Sequence, residues 1–200
     1  MKKRVEDKFL VSVLQEGGIA VLPSDTLYGV MTSALREESV ERLYQLRGRG
    51  DDKPFIVLVH SALLLRDIGL FAPLWSEILF ERAWPGPVSF VIPAGNTTPQ
   101  YLHRGTNTVA VRVPDDADLR ELLSKTGPLV APSANPPGLP PATTAYWAEQ
   151  YFKNSVDYYF DGGYISGQPS TVAVLGERNL TIVREGAFDV RRLHQLAEGQ

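Results

Sequence analysis

The chain has 200 residues, 44% hydrophobic and 22% charged, with a net charge of −3. That suits a globular protein with a sizeable core and excludes the broad basic excess of a chain that binds nucleic acid by charge alone. Cysteine is absent, which removes disulfides, zinc fingers and thiol catalysis together and fits a reducing compartment.

The first residues, MKKRVEDKFL, meet Glu6 and Asp7 before any apolar stretch, so no signal peptide is expected. No apolar run approaches the roughly 18 residues needed to span a bilayer. A cytoplasmic protein without membrane contact is the expectation. Residues 5 to 16 carry Val5, Phe9, Leu10, Val13 and Leu14 at helical spacing and stop at Gly17-Gly18. IAVLP, 19 to 23, reads as a buried strand breaking into a polar loop, SDTLYG. Glu37 and Glu38 open a second helix with Val40, Leu43 and Tyr44 inward. Arg47, four residues beyond Leu43, leaves that helix on the core side, and Gly48 and Gly50 end it. FIVLV, 55 to 59, is a strand, Ser61 caps a short helix, and 73 to 83 forms another with Leu74, Ile78 and Leu79 inward.

A turn and a strand follow in AWPGPVSFVIP, then the strand TVAVRVP and a helix over 116–125 with Leu119, Leu122 and Leu123 on one side. GPLVAPSANPPG is a short strand stopped by Pro132, delivering Ser133-Ala134-Asn135 between prolines that restrict the backbone. Thr143 or Thr144 caps a helix running to Phe152. Strands follow near residues 157, 171 and 181, and a last helix carries Val190, Leu193 and Leu196. The pattern predicts one α/β domain over 1–200: a twisted open mixed sheet with flanking helices.

Polar groups gather at strand ends: Ser24, Asp25 and Thr26; Arg112; Ser133 and Asn135; Ser170 and Thr171; Arg184. If these ends share one face, they surround one cleft, to which Arg47, Arg49 and Lys53 add positive charge. Such a cleft suits a phosphate-bearing ligand, although neither GxxxxGK[ST] nor GxGxxG is present. Two readings of Ser133 and Asn135 stand side by side: ligand-facing groups at a strand end, or side chains that satisfy their own loop. Asp25 reads as a carboxylate structuring its own loop rather than a general base. Arg112, inside an apolar strand, needs an anion, supplied by the protein or by a ligand. His60, His103 and His194 match no metal spacing or catalytic triad, so no protein metal site is expected.

Taken together, PSDTLYG, LRGRGDDKP, WPGPVSFVIP, TVAVRVP, PLVAPSANPPG, DGG, PSTVAV and VREGA resemble, in order and spacing, the YrdC-like family over about residues 11 to 187. The resemblance implies a twisted α/β sheet with a concave, positively lined cleft. It also implies the activity of a threonylcarbamoyl-AMP synthase, which joins L-threonine, bicarbonate or CO2 and ATP into threonylcarbamoyl-adenylate and pyrophosphate for tRNA modification. Arg47 and Arg49 fall on the family's K-x-R motif and Ser133 and Asn135 on its S-x-N motif, which implies a catalytic role for all four. Carried over, Thr26, Arg112 and Ser170 hold threonine, while Arg49, Lys53, Thr108, Ser133, Asn135 and Arg184 hold the nucleotide. Mg2+ is expected on the nucleotide's phosphates, and proteins that transfer threonylcarbamoyl to tRNA are expected downstream. Arg47 departs from the usual Lys, which keeps the charge and changes the head group. Ser24 departs from the usual Thr and keeps the hydroxyl. The sequence ends near the last motif, as in the family's short form. Competing readings are an RNA-binding module on the concave face, or a relative acting on another carbamoyl substrate, as in hydrogenase maturation proteins.

Overall fold

The computed structural model describes residues 4–48 and 53–198; Arg49, Gly50 and the side chain of Val5 lie outside the described residues. Its frame is a nine-stranded mixed sheet in the order β7-β1-β2-β6-β3-β5-β4-β8-β9. Helix α1 (Lys8–Gln15) is capped by Asp7, whose carboxylate accepts from the Leu10 N–H. It buries Leu10 and Leu14, whereas Phe9, expected inward, is exposed and leans on the Tyr158 ring. β1 (Ala20–Pro23) turns through Ser24–Leu27 into β2 (Tyr28–Ser33), an antiparallel partner that the periodicity did not reveal. All six residues of β2 are buried, so it lacks the in-out alternation that marks a strand. Its Gly29 is closely approached: a Cβ there would meet Met31 Cε at 2.9 Å and the Pro132 carbonyl oxygen at 3.3 Å.

α2 (Glu37–Arg47) buries Val40, Leu43, Tyr44 and Arg47 and ends at Gly48 with φ 54°, a left-handed position suited to glycine. β3 is regular only over Val57–Leu58, although its ladder extends through Ile56 O, which accepts from Ala131, and the Val59 N–H, which donates to Arg112 O. Ser61 caps a 3-10 turn, Ala62–Leu65. α3 (Ser76–Ala83) is rotated from the expected register, leaving Leu74 80% and Ile78 55% exposed. Phe80 sets that rotation by stacking on Trp84 at 4.6 Å and tilting against Phe90 at 5.3 Å. β4 (Val88–Pro93), an unanticipated turn of helix α4 (Gln100–His103) and β5 (Thr108–Arg112) follow.

α5 (Ala117–Thr126) buries Leu119, Leu122 and Leu123 as expected. β6 (Leu129–Val130) leads to α6 (Ala145–Phe152), which is capped by Thr144. β7 (Tyr158–Tyr159) runs parallel to β1 at the far edge, not beside the later strands. β8 (Thr171–Leu175) and β9 (Leu180–Arg184) form a hairpin on β4, and α7 (Val190–Ala197) buries Leu193.

Alternation along each strand sends side chains to two unequal cores. Val21, Val30, Val57, Phe90 and Val111 pack under residues of α2, α3, α6 and α7. Ala20, Leu22, Met31, Leu58 and Leu129 pack under α1 and α5. The second layer stops there, and the same face of β5, β4 and β8 stays uncovered. From β7 to β8 the chain must pass seven strand positions, about 34 Å in a flat sheet, with about 36 Å of extended chain between Tyr159 and Thr171. That connection therefore runs as an extended strap past the β1–β2 loop, where a Cβ on Gly162 would meet Pro23 and one on Gly167 would meet Thr26 O. Only Pro169 and Ser170 of it reach the uncovered face.

Arg42 on α2 donates to Asp157 at 2.7 and 3.0 Å, and Asp157 also accepts the Ile19 N–H at 2.7 Å, tying α2 to β1 and β7. The Arg42 hydrogen bonds, acting against desolvation, hold the Asp157 carboxyl below the usual aspartate value. A depressed folded-state pKa contributes stability above the unfolded value and loses it as pH falls through the folded one. Asp157→Asn is therefore expected to lower the urea midpoint at pH 7, with the deficit shrinking below about pH 4. A deficit unchanged at pH 3 would mean the pair is not its source.

Candidate functional site

The uncovered face holds a cavity of about 640 Å3. Its floor is the alternating set Thr108, Ala110 and Arg112 of β5 with Val91 of β4 and Val172 of β8; Met31 and Leu58 close one side. Ser24, Thr26, Arg47, Lys53, Ser133, Ser170 and Arg184 supply its polar walls. Among the described residues, the lining contains four cationic side chains, Arg47, Lys53, Arg112 and Arg184, and no carboxylate. Of the residues that the family motifs place at the site, Asn135 stands behind the lining and Arg49 lies outside the described residues. Of the other polar groups at strand ends, Asp25 and Thr171 do not line it, and Thr171 Oγ1 donates to Phe188 O.

Arg112 is 4% exposed. Its Nε donates to the Gly86 carbonyl at 3.0 Å, Nη1 to Thr26 Oγ1 at 2.9 Å, and Nη2 to Asp25 Oδ1. Asp25 Oδ2 also accepts the Asp115 N–H at 3.0 Å. Asp25 is thus the counter-ion of Arg112, correcting the expectation that it serves its own loop; that task falls to Ser24. The Ser24 hydroxyl donates to Leu27 O at 2.7 Å and accepts from the Leu27 and Thr26 N–H groups. Burial lowers the Arg112 pKa, and the Asp25 charge opposes it. Three of the five N–H groups of this guanidinium are used, leaving one on each terminal nitrogen.

The Ser133 triplet is docked on β2. Val30 N–H donates to Pro132 O at 2.9 Å and Ala134 N–H to Tyr28 O at 2.8 Å. Ser133 Oγ donates to Asn135 Oδ1 at 2.7 Å, while Asn135 Nδ2 donates to Pro136 O and Leu139 O. The loop-satisfying reading holds for both side chains, which bond within 133–139, and Ser133 also lines the cavity. Arg47 reaches this loop from α2, donating through Nη1 to the backbone carbonyls of Ser133 and Asn135.

A third cluster joins the expected Ser170 and Arg184 to Ser89, a residue not expected at the site. Ser89, fully buried on β4, shares a hydroxyl–hydroxyl bond of 2.9 Å with Ser170. Arg184 donates to Ser170 O at 2.8 and 3.2 Å and to Ser170 Oγ at 3.3 Å. The signal for Ser89 was present: a hydroxyl between Val88 and Phe90 in a buried strand needs a partner. The strap forms the adjoining wall. Tyr28 Oη accepts the Gly162 N–H at 3.0 Å and donates to Gly163 O at 2.7 Å. A Cβ on Gly167 would sit 2.2 Å from Thr26 O, so the strap passes directly over the backbone of Thr26. Thr108 is half-buried, its hydroxyl 3.3 Å from that of Thr106, and Lys53 is exposed at the rim.

A wider depression of about 950 Å3, lined by Arg36, Glu37, Glu38, Tyr101 and Lys125 among others, mixes both charges and holds none of the expected residues. Among the described residues no group of three or more His, Cys, Asp or Glu could hold a metal ion. Asp25, between the lining residues Ser24 and Thr26, is committed to Arg112 and Asp115.

Removing one partner of a buried ion pair strands the other charge. Asp25→Ala is expected to cost about 3–5 kcal/mol in urea unfolding, most of it recovered when Arg112→Leu is added. A neutral Asp25→Ala would show that Arg112 is balanced by something else.

Residues 12–186 match the family Sua5_yciO_yrdC, described as "Telomere recombination". The chain is 30% identical over 201 residues to the threonylcarbamoyl-AMP synthase of Pyrococcus abyssi (strain GE5 / Orsay), covering 98% of this chain and 59% of that protein. It is 34% identical over 177 residues to the threonylcarbamoyl-AMP synthase of Pseudomonas paraeruginosa (strain DSM 24068 / PA7), covering 86% and 88%. The crystal structure of P. abyssi Sua5 complexed with L-threonine superimposes with a TM-score of 0.88 at 31% identity, over 94% of this chain and 56% of that one.

Proposed function

The chain belongs to the Sua5/YciO/YrdC family, and on that basis we propose that it is a threonylcarbamoyl-AMP synthase acting in the cavity on the open face of the sheet. The observation that carries the reading is the lining itself: among the described residues, four cations, hydroxyls from three separate loops and no carboxylate, around a volume of about 640 Å3. That is a site for bringing anions together.

Threonine is held at the Arg112 end. Its carboxylate takes the two remaining guanidinium N–H groups, with the Thr26 and Ser170 hydroxyls beside it. ATP lies along Lys53, Thr108, Ser133 and Arg184, with its phosphates toward the cations and Mg2+ arriving as part of the nucleotide substrate. Arg49 joins the nucleotide set, and Asn135 acts from behind by fixing the Ser133 hydroxyl.

Threonine's amine adds to CO2 and loses a proton, giving a carbamate. One carbamate oxygen attacks the α-phosphorus, the bond from that phosphorus to the bridging oxygen breaks, and pyrophosphate leaves with the electron pair. No protein nucleophile enters the balance. The protein's share is to hold two mutually repelling anions in line and to offset the charge that develops on the phosphoryl oxygens. Arg47 contributes by fixing the 133–135 loop through its backbone carbonyls, a task for which its planar fork suits it. The product is an activated acyl donor, so a tRNA-directed acyl transfer follows it, in the cytoplasm. Among the described residues no helix is long and apolar enough to cross a membrane.

The test is pyrophosphate release from ATP and bicarbonate with L-threonine, without it, and with L-serine in its place. Release that depends on threonine is expected. Ser133→Ala is expected to lower kcat/KM about ten- to hundredfold, the effect of losing one hydrogen bond to a charged ligand. Threonine-independent release, or full activity in Ser133→Ala, would overturn the reading of this cavity.

A further inference from the structure

Tyr44, on α2, is 3% exposed, and its hydroxyl is held between two backbone groups. It donates to the Lys53 carbonyl at 3.2 Å and accepts the Phe55 N–H at 3.2 Å. Between them lies Pro54, which has no N–H to give. The segment therefore lacks one backbone donor at its centre, and Tyr44 holds the backbone on both sides of it. Its ring is fixed as firmly as its hydroxyl. Phe55 stacks on one face with centroids 4.0 Å apart, and the Arg104 guanidinium lies 4.1 Å from the ring centroid. Arg104 in turn pairs with Glu41, one turn earlier on α2.

Two cavity-lining cations depend on this arrangement. Arg47 lies three residues after Tyr44 on the same helical face. Lys53 begins the segment that Tyr44 anchors, and Lys53, Pro54, Phe55 and Ile56 all line the cavity. One phenol thus fixes the distance between a cation on a helix and a cation on the segment leading into β3. Lysine is a flexible, strongly hydrated point charge, and only its backbone attachment can be placed by the fold. We propose that Tyr44 is a positioning residue for the nucleotide's phosphates, acting through Lys53. It sets where the ammonium can reach and touches no ligand itself. The proposal rests on the nucleotide lying along Lys53, as given under the proposed function.

The experiment is equilibrium binding of ATP, and of inorganic tripolyphosphate as a base-free probe, to the wild type, Tyr44→Phe, Lys53→Ala and the double variant. L-threonine binding is followed in the same proteins. Tyr44→Phe keeps the ring stacking and removes only the hydroxyl. It is expected to weaken both phosphate probes about three- to tenfold and to leave threonine affinity unchanged. The double variant should bind no more weakly than Lys53→Ala alone, because the tyrosine acts through the lysine. A merely structural role would instead weaken threonine and ATP together, or multiply the two single effects, and either result overturns the proposal. A wild type that binds ATP but releases no pyrophosphate with threonine would overturn the synthase reading and leave this one standing. A wild type that binds neither phosphate probe would overturn both.

Discussion

A guanidinium on a strand in the middle of a sheet can be buried only with an anion beside it. Here Arg112 meets that condition through Asp25, and the rest of the site follows. To reach Arg112, Asp25 must sit on a tight loop between β1 and β2, and that loop also delivers the Thr26 hydroxyl to Arg112 Nη1. The pairing brings together positions 25 and 112, far apart in the chain. It converts a charge that would be expensive to bury into a fixed donor at the cavity floor. Stability and ligand reach are set by the same two side chains.

The second constraint is unequal covering of the sheet. Helices line one face along its length, while α1 and α5 cover the other only as far as β6 and β3. Period-two alternation then decides what the open part displays. On β5 the buried positions Val109 and Val111 go to the covered side, and Thr108, Ala110 and Arg112 go to the cavity. β4 and β8 repeat the pattern with Ser89 and Val91, and with Ser170 and Val172. A ligand site arises where a layer of helices is missing.

Much of this was legible in the residues. Periodicity placed α1, α2 and α5, and the Thr144 cap placed α6; the caps at Asp7 and Asp116 appear only in the structure. The placement of Arg47 on the buried side of α2 followed from helix geometry alone. What could not be read were outcomes of tertiary packing. β2 is buried on both faces and shows no alternation. α3 is turned by the Phe80–Trp84–Phe90 cluster, which local spacing around Leu74 and Ile78 does not encode. The partner of Asp25 lies 87 positions away, so its own loop looked like the better match. The family motifs bypassed that difficulty. Eight of the nine expected site residues that the structure describes or brings near it line one cavity, with Asn135 immediately behind.

The strap from Phe160 to Ser170 has a consequence for synthesis on the ribosome. It carries the chain from one edge of the sheet almost to the other, and the last cavity wall, Ser170 to Arg184, lies beyond it. The floor strands β4 and β5 emerge well before that wall. Until β8 pairs with β4, the backbone edge of β4 and the Ser89 hydroxyl, which is buried in the finished fold, are open to water. Proteins tend to fold from the N-terminus as they emerge, and exposed sheet edges are where such intermediates associate. The nascent chain therefore passes through a stage in which β4 is a free edge, and that stage ends only when β8 has left the exit tunnel. Its vulnerability during translation is a property of topology, set by how late in the sequence the closing hairpin is encoded.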